Sequence, residues 1–213
     1  MPIRVKICGL TTPADVEWTV ACGADAIGIV QAPSLRQVDR RTAETLLRAA
    51  GSGVMKVAVF REVDTPQLLE LVSMGFDAVQ AEHLPEAVPP GLAVLPVITD
   101  GPYLMARVKA LPRVVNGGLA QLGHAELLLD GPIGGGRGMR PDRHRARKLA
   151  ASHRIVLAGG LNPRNVARAI EVIRPVAVDV SSGVERSPGC KQRDLVKAFI
   201  VQARRALLKE ETT

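Results

Sequence analysis

Apolar and polar positions along the chain switch repeatedly between the two-residue period of a strand and the helical period. Residues 3–8 (Ile-Arg-Val-Lys-Ile-Cys) alternate, which predicts a strand with Lys6 and Cys8 on one face. Thr11-Thr12-Pro13 then offers a hydroxyl cap and a first-turn proline, and predicts a helix ending near Gly23. Strands over 25–30, 54–60 and 77–80 are interleaved with helices over about 39–50 and 65–74, the latter closed by Gly75, and residues 31–38 form a loop. After the fourth strand the rhythm falters. Residues 84–90 contain Pro85, Pro89 and Pro90, so any helix there is short. A strand over 92–98 and a helix over 102–110 precede an irregular stretch, 111–123. Residues 125–129 read as a strand ending at Asp130, and a glycine-rich loop, 131–138, leads to a basic helix over 142–151. A strand over 154–158 ends in Gly159-Gly160; Asn162-Pro163 opens a helix to about Ile173; a strand over 176–180 and a helix over 191–208 complete the chain.

Eight strands, each followed by a helix or a remnant of one, predict a parallel sheet. Eight such units fit a closed (β/α)8 TIM barrel of the α/β class, compact, with a shortened fourth helix, as a single domain over residues 1–213. An open doubly wound sheet is the alternative, but no Gly-x-Gly-x-x-Gly turn follows the first strand.

Composition narrows the functions such a fold could carry. Hydrophobic residues make up 46% of the chain but aromatics only 2%, so the core is aliphatic and the base-stacking platforms of single-stranded nucleic-acid binders are missing. The net charge of +7 suits an anionic ligand, and no nucleic-acid or membrane partner is expected. The densest basic run, from Arg137 to Lys148, also reads as the solvated face of a helix. Three cysteines, Cys8, Cys22 and Cys190, form neither a disulfide framework nor a metal-ligand spacing. The start of the chain lacks an apolar signal segment and no run reaches membrane-spanning length, so a cytoplasmic location is expected.

The chemistry gathers at strand ends, where barrels of this kind hold their active sites. Val178-Asp179-Val180-Ser181-Ser182-Gly183 ends the eighth strand by delivering a carboxylate, two hydroxyls and a glycine. Cys8, Arg36, Gln80 and Asp130 lie at or just beyond the ends of strands one, two, four and six. Gly159, Gly160, Ser182 and Gly183 expose backbone N–H groups after strands seven and eight, the usual phosphate position in this fold. Each residue alone has a plain structural alternative: Cys8 as a small buried hydrophobe, Asp130 as a loop cap. Lys6 is a Schiff-base candidate, but it lies two residues deeper in the barrel than Cys8.

Together these segments resemble the phosphoribosylanthranilate isomerase family, the tryptophan-pathway barrel. The matching pieces are Val5-Lys6-Ile7-Cys8-Gly9-Leu10-Thr11, Ser34-Leu35-Arg36, Leu128-Leu129-Asp130, Ala158-Gly159-Gly160-Leu161-Asn162-Pro163, and Val178 to Glu185 followed by Pro188-Gly189. The resemblance implies Cys8 as general base, Asp130 as general acid, Arg36 as the holder of a substrate carboxylate, Asp179 near the ribosyl hydroxyls, and Gly159, Gly160, Ser182 and Gly183 in the phosphate loops. It implies a small phosphoribosyl substrate, an Amadori rearrangement, no cofactor, no metal, and a monomer or homodimer. The base requires a thiol whose pKa is brought down toward working pH, by Lys6 or a helix dipole.

The chain departs from the family pattern at the pocket walls. The fourth strand continues Gln80-Ala81-Glu82-His83 where the family tends to have Gln-Leu-His-Gly, and the second-strand loop lacks aromatic residues. Gly135-Gly136-Arg137-Gly138-Met139 stands where the family has Gly-Gly-Ser/Thr-Gly-Lys; Arg137 is the candidate to restore the lost positive charge. Three alternatives stay open: an Amadori isomerase for a different phosphoribosyl amine, a phosphosugar-binding barrel without turnover, and, on charge alone, a nucleic-acid-binding protein.

Overall fold

The computed structural model describes residues 4–111, 127–132 and 138–211. Eight parallel strands close on one another in sequence order: β1 (Val5–Cys8), β2 (Ala26–Val30), β3 (Met55–Val59), β4 (Ala78–Ala81), β5 (Ala93–Thr99), β6 (Leu127–Asp130), β7 (Ile155–Leu157) and β8 (Ala177–Val180). β8 pairs back onto β1, with Lys6 beside Asp179, and the barrel is complete. Around it lie α1 (Pro13–Ala21), α2 (Arg40–Ala50), α3 (Thr65–Met74), α4 (Leu104–Lys109), α5 (Arg143–Ala150), α6 (Val166–Ile173) and α7 (Arg193–Glu211).

The strands are buried on both faces, as a parallel sheet flanked by helices requires. One face, carrying Ile7, Ile27, Ile29, Ala58, Val79, Leu129, Leu157 and Val180, joins the large cluster packed under the helices. The other fills the barrel with Ala26, Val57, Ala78, Leu95, Leu128, Val156 and Ala177. Because side chains alternate, the residues two positions further on form the top layer of that interior. They are Cys8, Val59, Gln80, Val97, Asp130, Ala158 and Asp179, and they line a single cavity at the C-terminal mouth. A strand that stops here exposes whichever interior residue comes last, so the apolar spacing of the sequence also sets the floor of the site.

Helix starts follow from local chemistry. The side chains of Thr12, Asp39, Asp64 and Asp142 accept backbone N–H groups at the first turns of α1, α2, α3 and α5, and Asp64 with Gln67 completes a reciprocal capping box. Two expectations change. After β4 the short helix reduces to turns: residues 82–92 contain no helix, the three prolines having left it no continuous run of N–H donors. After β8 the last helix does not begin at Lys191 but at Arg193. A 3₁₀ turn (Ser182–Val184) and a hairpin of β9 (Glu185–Ser187) and β10 (Cys190–Lys191) come first, turned at Pro188-Gly189. The beginning of the expected sixth strand, residues 125–126, lies outside the described residues, as do most of the stretch 111–123 and Gly135-Gly136-Arg137.

Candidate active site

Cys8 ends β1 with its thiol turned into the barrel, 7% exposed. Two residues deeper, Lys6 is 1% exposed and its Nζ donates to Asp179 Oδ1 at 2.9 Å. Register makes the pair: Lys6 and Asp179 are direct partners across β1 and β8. Space for them comes from β2. A Cβ built on Gly28 would stand 2.7 Å from the Cys8 Sγ and 3.1 Å from Lys6 Nζ, so any larger residue would collide with both. Burial disfavours the Lys6 ammonium, yet Asp179 and Cys8 outweigh it and hold the group above its usual range. Lys6 is therefore a fixed cation, unsuited to Schiff-base chemistry, which needs a neutral amine.

Arg36, in the loop after β2, reaches across the mouth to Glu185. Its Nε donates to Oε1 at 2.9 Å and its Nη2 to Oε2 at 2.7 Å, a side-on fork. Its methylenes lie on Gly9, where a Cβ would come within 2.5 Å of Cδ. The end-on edge of a guanidinium can still receive a second carboxylate while the side edge is engaged. On the other flank of Glu185 sits Lys191, wholly buried, with Nζ donating to Glu185 Oε1 at 2.6 Å and to the Ser181 carbonyl at 3.2 Å. The hairpin places it there, since Lys191 pairs with Glu185 across β9 and β10. Burial pulls Glu185 upward, but its hydrogen bonds to Arg36 and the charge of Lys191 prevail and leave the carboxyl below its usual range.

Burial is also the largest influence on the Cys8 thiol, and it raises the pKa. Lys6 and Lys191 lower it, and Asp179 raises it further; the net position is above the ordinary thiol range. The expectation of a depressed thiol is thus corrected: Lys6 does pull in the anticipated direction, but desolvation and Asp179 exceed it.

Across the mouth, Asp130 is half-buried at the end of β6 and its Oδ1 accepts the Gly131 N–H at 2.7 Å. Gly159 (φ +82°) and Gly160 (φ +60°) follow β7 in left-handed conformations open to glycine at little cost. They are also hemmed in: a Cβ on Gly159 would stand 2.6 Å from the Gly131 nitrogen and 3.0 Å from Asp130 Oδ1, and one on Gly160 2.4 Å from the Gly138 carbonyl oxygen. The loop after β7 and the loop after Asp130 therefore fit together only through these glycines. Gly183 fits in the same way against the Leu161 carbonyl, behind the cavity rather than on its lining.

Cys8, Arg36, Gln80, Asp130, Gly159, Gly160, Asp179 and Ser182 all border the one cavity. Gln80, 7% exposed, brings a buried Oε1 that finds no hydrogen-bond partner among the described residues. Arg137 lies outside the described residues; Met139, two positions further on, has an exposed side chain, and its carbonyl is packed where a Cβ of Gly131 would be. Sequence reasoning missed Lys191 and the part played by Glu185, together with Phe60 and Arg61, which form a cavity wall after β3. Pro188-Gly189 was the available signal for the hairpin. Among the described residues no group of three or more His, Cys, Asp or Glu side chains is arranged to hold a metal, and no helix is long and apolar enough to cross a membrane.

Comparison with known proteins agrees over nearly the whole chain. Residues 5–202 match the family model described as N-(5'phosphoribosyl)anthranilate (PRA) isomerase. An N-(5'-phosphoribosyl)anthranilate isomerase from Methanoregula boonei is 36% identical over 210 residues, 96% of this chain and 98% of that protein. The crystal structure of phosphoribosyl anthranilate isomerase from Thermotoga maritima superposes with a TM-score of 0.78 at 34% identity, covering 95% of this chain and 98% of that one. A second solved isomerase, in complex with reduced 1-(o-carboxyphenylamino)-1-deoxyribulose 5-phosphate, gives 0.72 at 30% identity, covering 95% and 98%. With the barrel, the strand-end residues and full-length similarity in agreement, the chain belongs to the N-(5'-phosphoribosyl)anthranilate isomerase family.

Proposed function

We propose that this protein converts N-(5'-phosphoribosyl)anthranilate to 1-(o-carboxyphenylamino)-1-deoxyribulose 5-phosphate, the Amadori step of tryptophan biosynthesis, with Asp130 as acid and Cys8 as base. Asp130 donates a proton to the ribose ring oxygen as the C1'–O bond breaks, and the aniline nitrogen's lone pair forms the iminium ion. The Cys8 thiolate then removes the C2' proton. The electrons of that C–H bond form the C1'=C2' double bond and neutralise the nitrogen. The resulting enolamine tautomerises to the ketone as a proton is delivered to C1', so the sum is an isomerisation with no net gain or loss of atoms.

The observation that carries this reading is the shared cavity: a thiol from β1 and a carboxyl from β6 border it together, and the Gly159-Gly160 turn stands beside the carboxyl. Backbone N–H groups of that turn and of Ser182 and Gly183 suit a phosphate. At the other end, Arg36 offers its free edge to the aryl carboxylate. Asp179 and the unpaired amide oxygen of Gln80 suit polar atoms of the opened sugar. Adding the pure protein to phosphoribosylanthranilate tests the proposal: the anthranilate fluorescence should decay at a rate proportional to enzyme concentration, and an unchanged signal at micromolar protein would refute it.

A further inference from the structure

The ionised side chains beneath and behind Cys8 do not balance. Lys6 pairs with Asp179, and Arg36 and Lys191 share Glu185. Among the described residues this buried cluster has three cations against two carboxylates. Lys191 is the third cation, with a side chain 0% exposed. An unbalanced buried cation is costly unless a counter-charge stands near it, and Lys191 reaches the cavity of Cys8 through Ser181, which borders that cavity and whose carbonyl and Oγ accept from Lys191 Nζ at 3.2 and 3.4 Å. Resting on the assignment of Cys8 as base, we propose that Lys191 is a positioning residue of this enzyme: its surplus charge favours the Cys8 thiolate when the base ionises, while its bond to Glu185 fixes the fork that holds Arg36.

The surrounding groups fit this account. Lys6 from β1 and Asp179 from β8 act on the thiol, Arg36 from the loop after β2 borders the same cavity, and Lys191 acts from the hairpin, where it is paired with Glu185. Asp130, the proposed acid, borders the same cavity from β6, and Arg61 and Glu82 are exposed residues of opposite sign at its rim. Lys6 and Asp179 cancel. Arg36 and Glu185 cancel. At the thiol, Lys191 adds its pull to that of Lys6 against desolvation, and without Lys191 the cluster would be neutral before Cys8 ionises. Glu185 also explains why an ammonium is tolerated so deep: the 2.6 Å contact and the Ser181 carbonyl receive two of its protons.

The test measures the thiol directly. The rate of Cys8 alkylation by iodoacetamide, resolved from Cys22 and Cys190 by peptide mass spectrometry, is followed against pH in the wild type, Lys191→Met, Lys191→Arg and Glu185→Gln. Loss of the cation should move the Cys8 titration up by about one pH unit, a roughly ten-fold loss of thiolate at a given pH below the titration. Glu185→Gln removes an anion and should move it down. Lys191→Arg should stay near the wild type. Opposite signs for the two charge deletions are the signature, since general loosening of the hairpin would move both the same way. Should Lys191→Met not fold, Glu185→Gln against the wild type still decides the sign. An unchanged titration in Lys191→Met, or a shift of the same sign in both deletions, overturns the proposal. Because alkylation needs no turnover, this result is independent of whether the substrate assignment stands.

Discussion

The two sides of the cavity are built in opposite ways. On the Cys8 side, side chains from β1, β8, the loop after β2 and the hairpin form a buried lattice of charges. On the Asp130 side, the carboxyl heads a glycine loop that is shaped by backbone: Gly131 and Gly159 close on the Met139 carbonyl, and Gly160 lies against the Gly138 carbonyl. A base of this type needs its anion stabilised in a dry setting, and charges do that. The proposed acid, a group that would protonate a sugar oxygen, must stay accessible to it and next to the proposed phosphate turn, and a tightly turned backbone does that with little bulk. The Cys8 side should therefore couple chemistry to stability, while the Asp130 side should couple chemistry to loop geometry.

Removing the proposed base and acid should have the largest effect. Cys8→Ser and Asp130→Asn should each lower kcat by more than ~10²-fold, since proton transfer to or from a reacting atom is typically worth 10²–10⁴. Circular dichroism and thermal melts should show both variants folded. Near-normal turnover in either would break the comparison at its root.

Next in size is the charge lattice. Lys6→Met leaves the Asp179 carboxylate buried without its cation, and removal of one partner of a buried pair costs about 3–5 kcal/mol. Urea unfolding should show that loss in the midpoint, whereas Asp130→Asn should fall within about 1 kcal/mol of wild type. Equal losses in the two variants would mean that the sides do not differ as described.

Steric substitutions sharpen the contrast further. Gly28→Ala places a methyl 2.7 Å from Cys8 Sγ, and Gly131→Ala places one 1.9 Å from the Met139 carbonyl oxygen. Overpacking of this kind costs about 1–3 kcal/mol. In Gly28→Ala the thiol itself is displaced, so the rate of Cys8 alkylation should change along with kcat. In Gly131→Ala alkylation should stay normal while kcat falls, as the turn that orients Asp130 is forced to move. Kinetics and alkylation on the same preparations separate the two.

How much of this was legible follows the range of each interaction. The strands were readable because their alternation is local, and so were the strand-end residues that became the top layer: Cys8, Gln80, Asp130 and Asp179 each lie two positions beyond an interior residue. The neighbour that determines each environment was not readable. Lys6 and Asp179 are 173 positions apart and Arg36 and Glu185 are 149 apart, so only closure of the barrel brings them together. Lys191 was read as the start of a helix because Lys-Gln-Arg-Asp is ordinary polar helix-entry chemistry, although the preceding Pro-Gly turn could have marked a hairpin. The direction of the Cys8 shift failed for a related reason: the cation two residues away is visible in the sequence, and the extent of burial is not.

The smallest expected effect is on alkaline stability, and it isolates the thiol. Cys8 titrates above its ordinary value of 9.0 in the folded protein because burial disfavours the thiolate. Between the unfolded and folded values the native state keeps a proton that the unfolded chain has lost, so stability falls with rising pH across that window and is fully present below it. Lys191 acts in the opposite sense: its folded pKa lies below 10.5, chiefly through burial, so as pH rises it sheds its proton in the native state first and adds stability. The measured curve is thus a partial cancellation, and the wild type alone would be uninformative. Subtracting the Cys8→Ser curve leaves the thiol's share. That difference should be flat from pH 7 to about 8.5 and then decline, since a thiol begins to titrate near its model value. The corresponding difference for Asp130→Asn should show no alkaline decline. A flat Cys8→Ser difference up to pH 10.5 would mean that the charge lattice offsets the burial of the thiol in full.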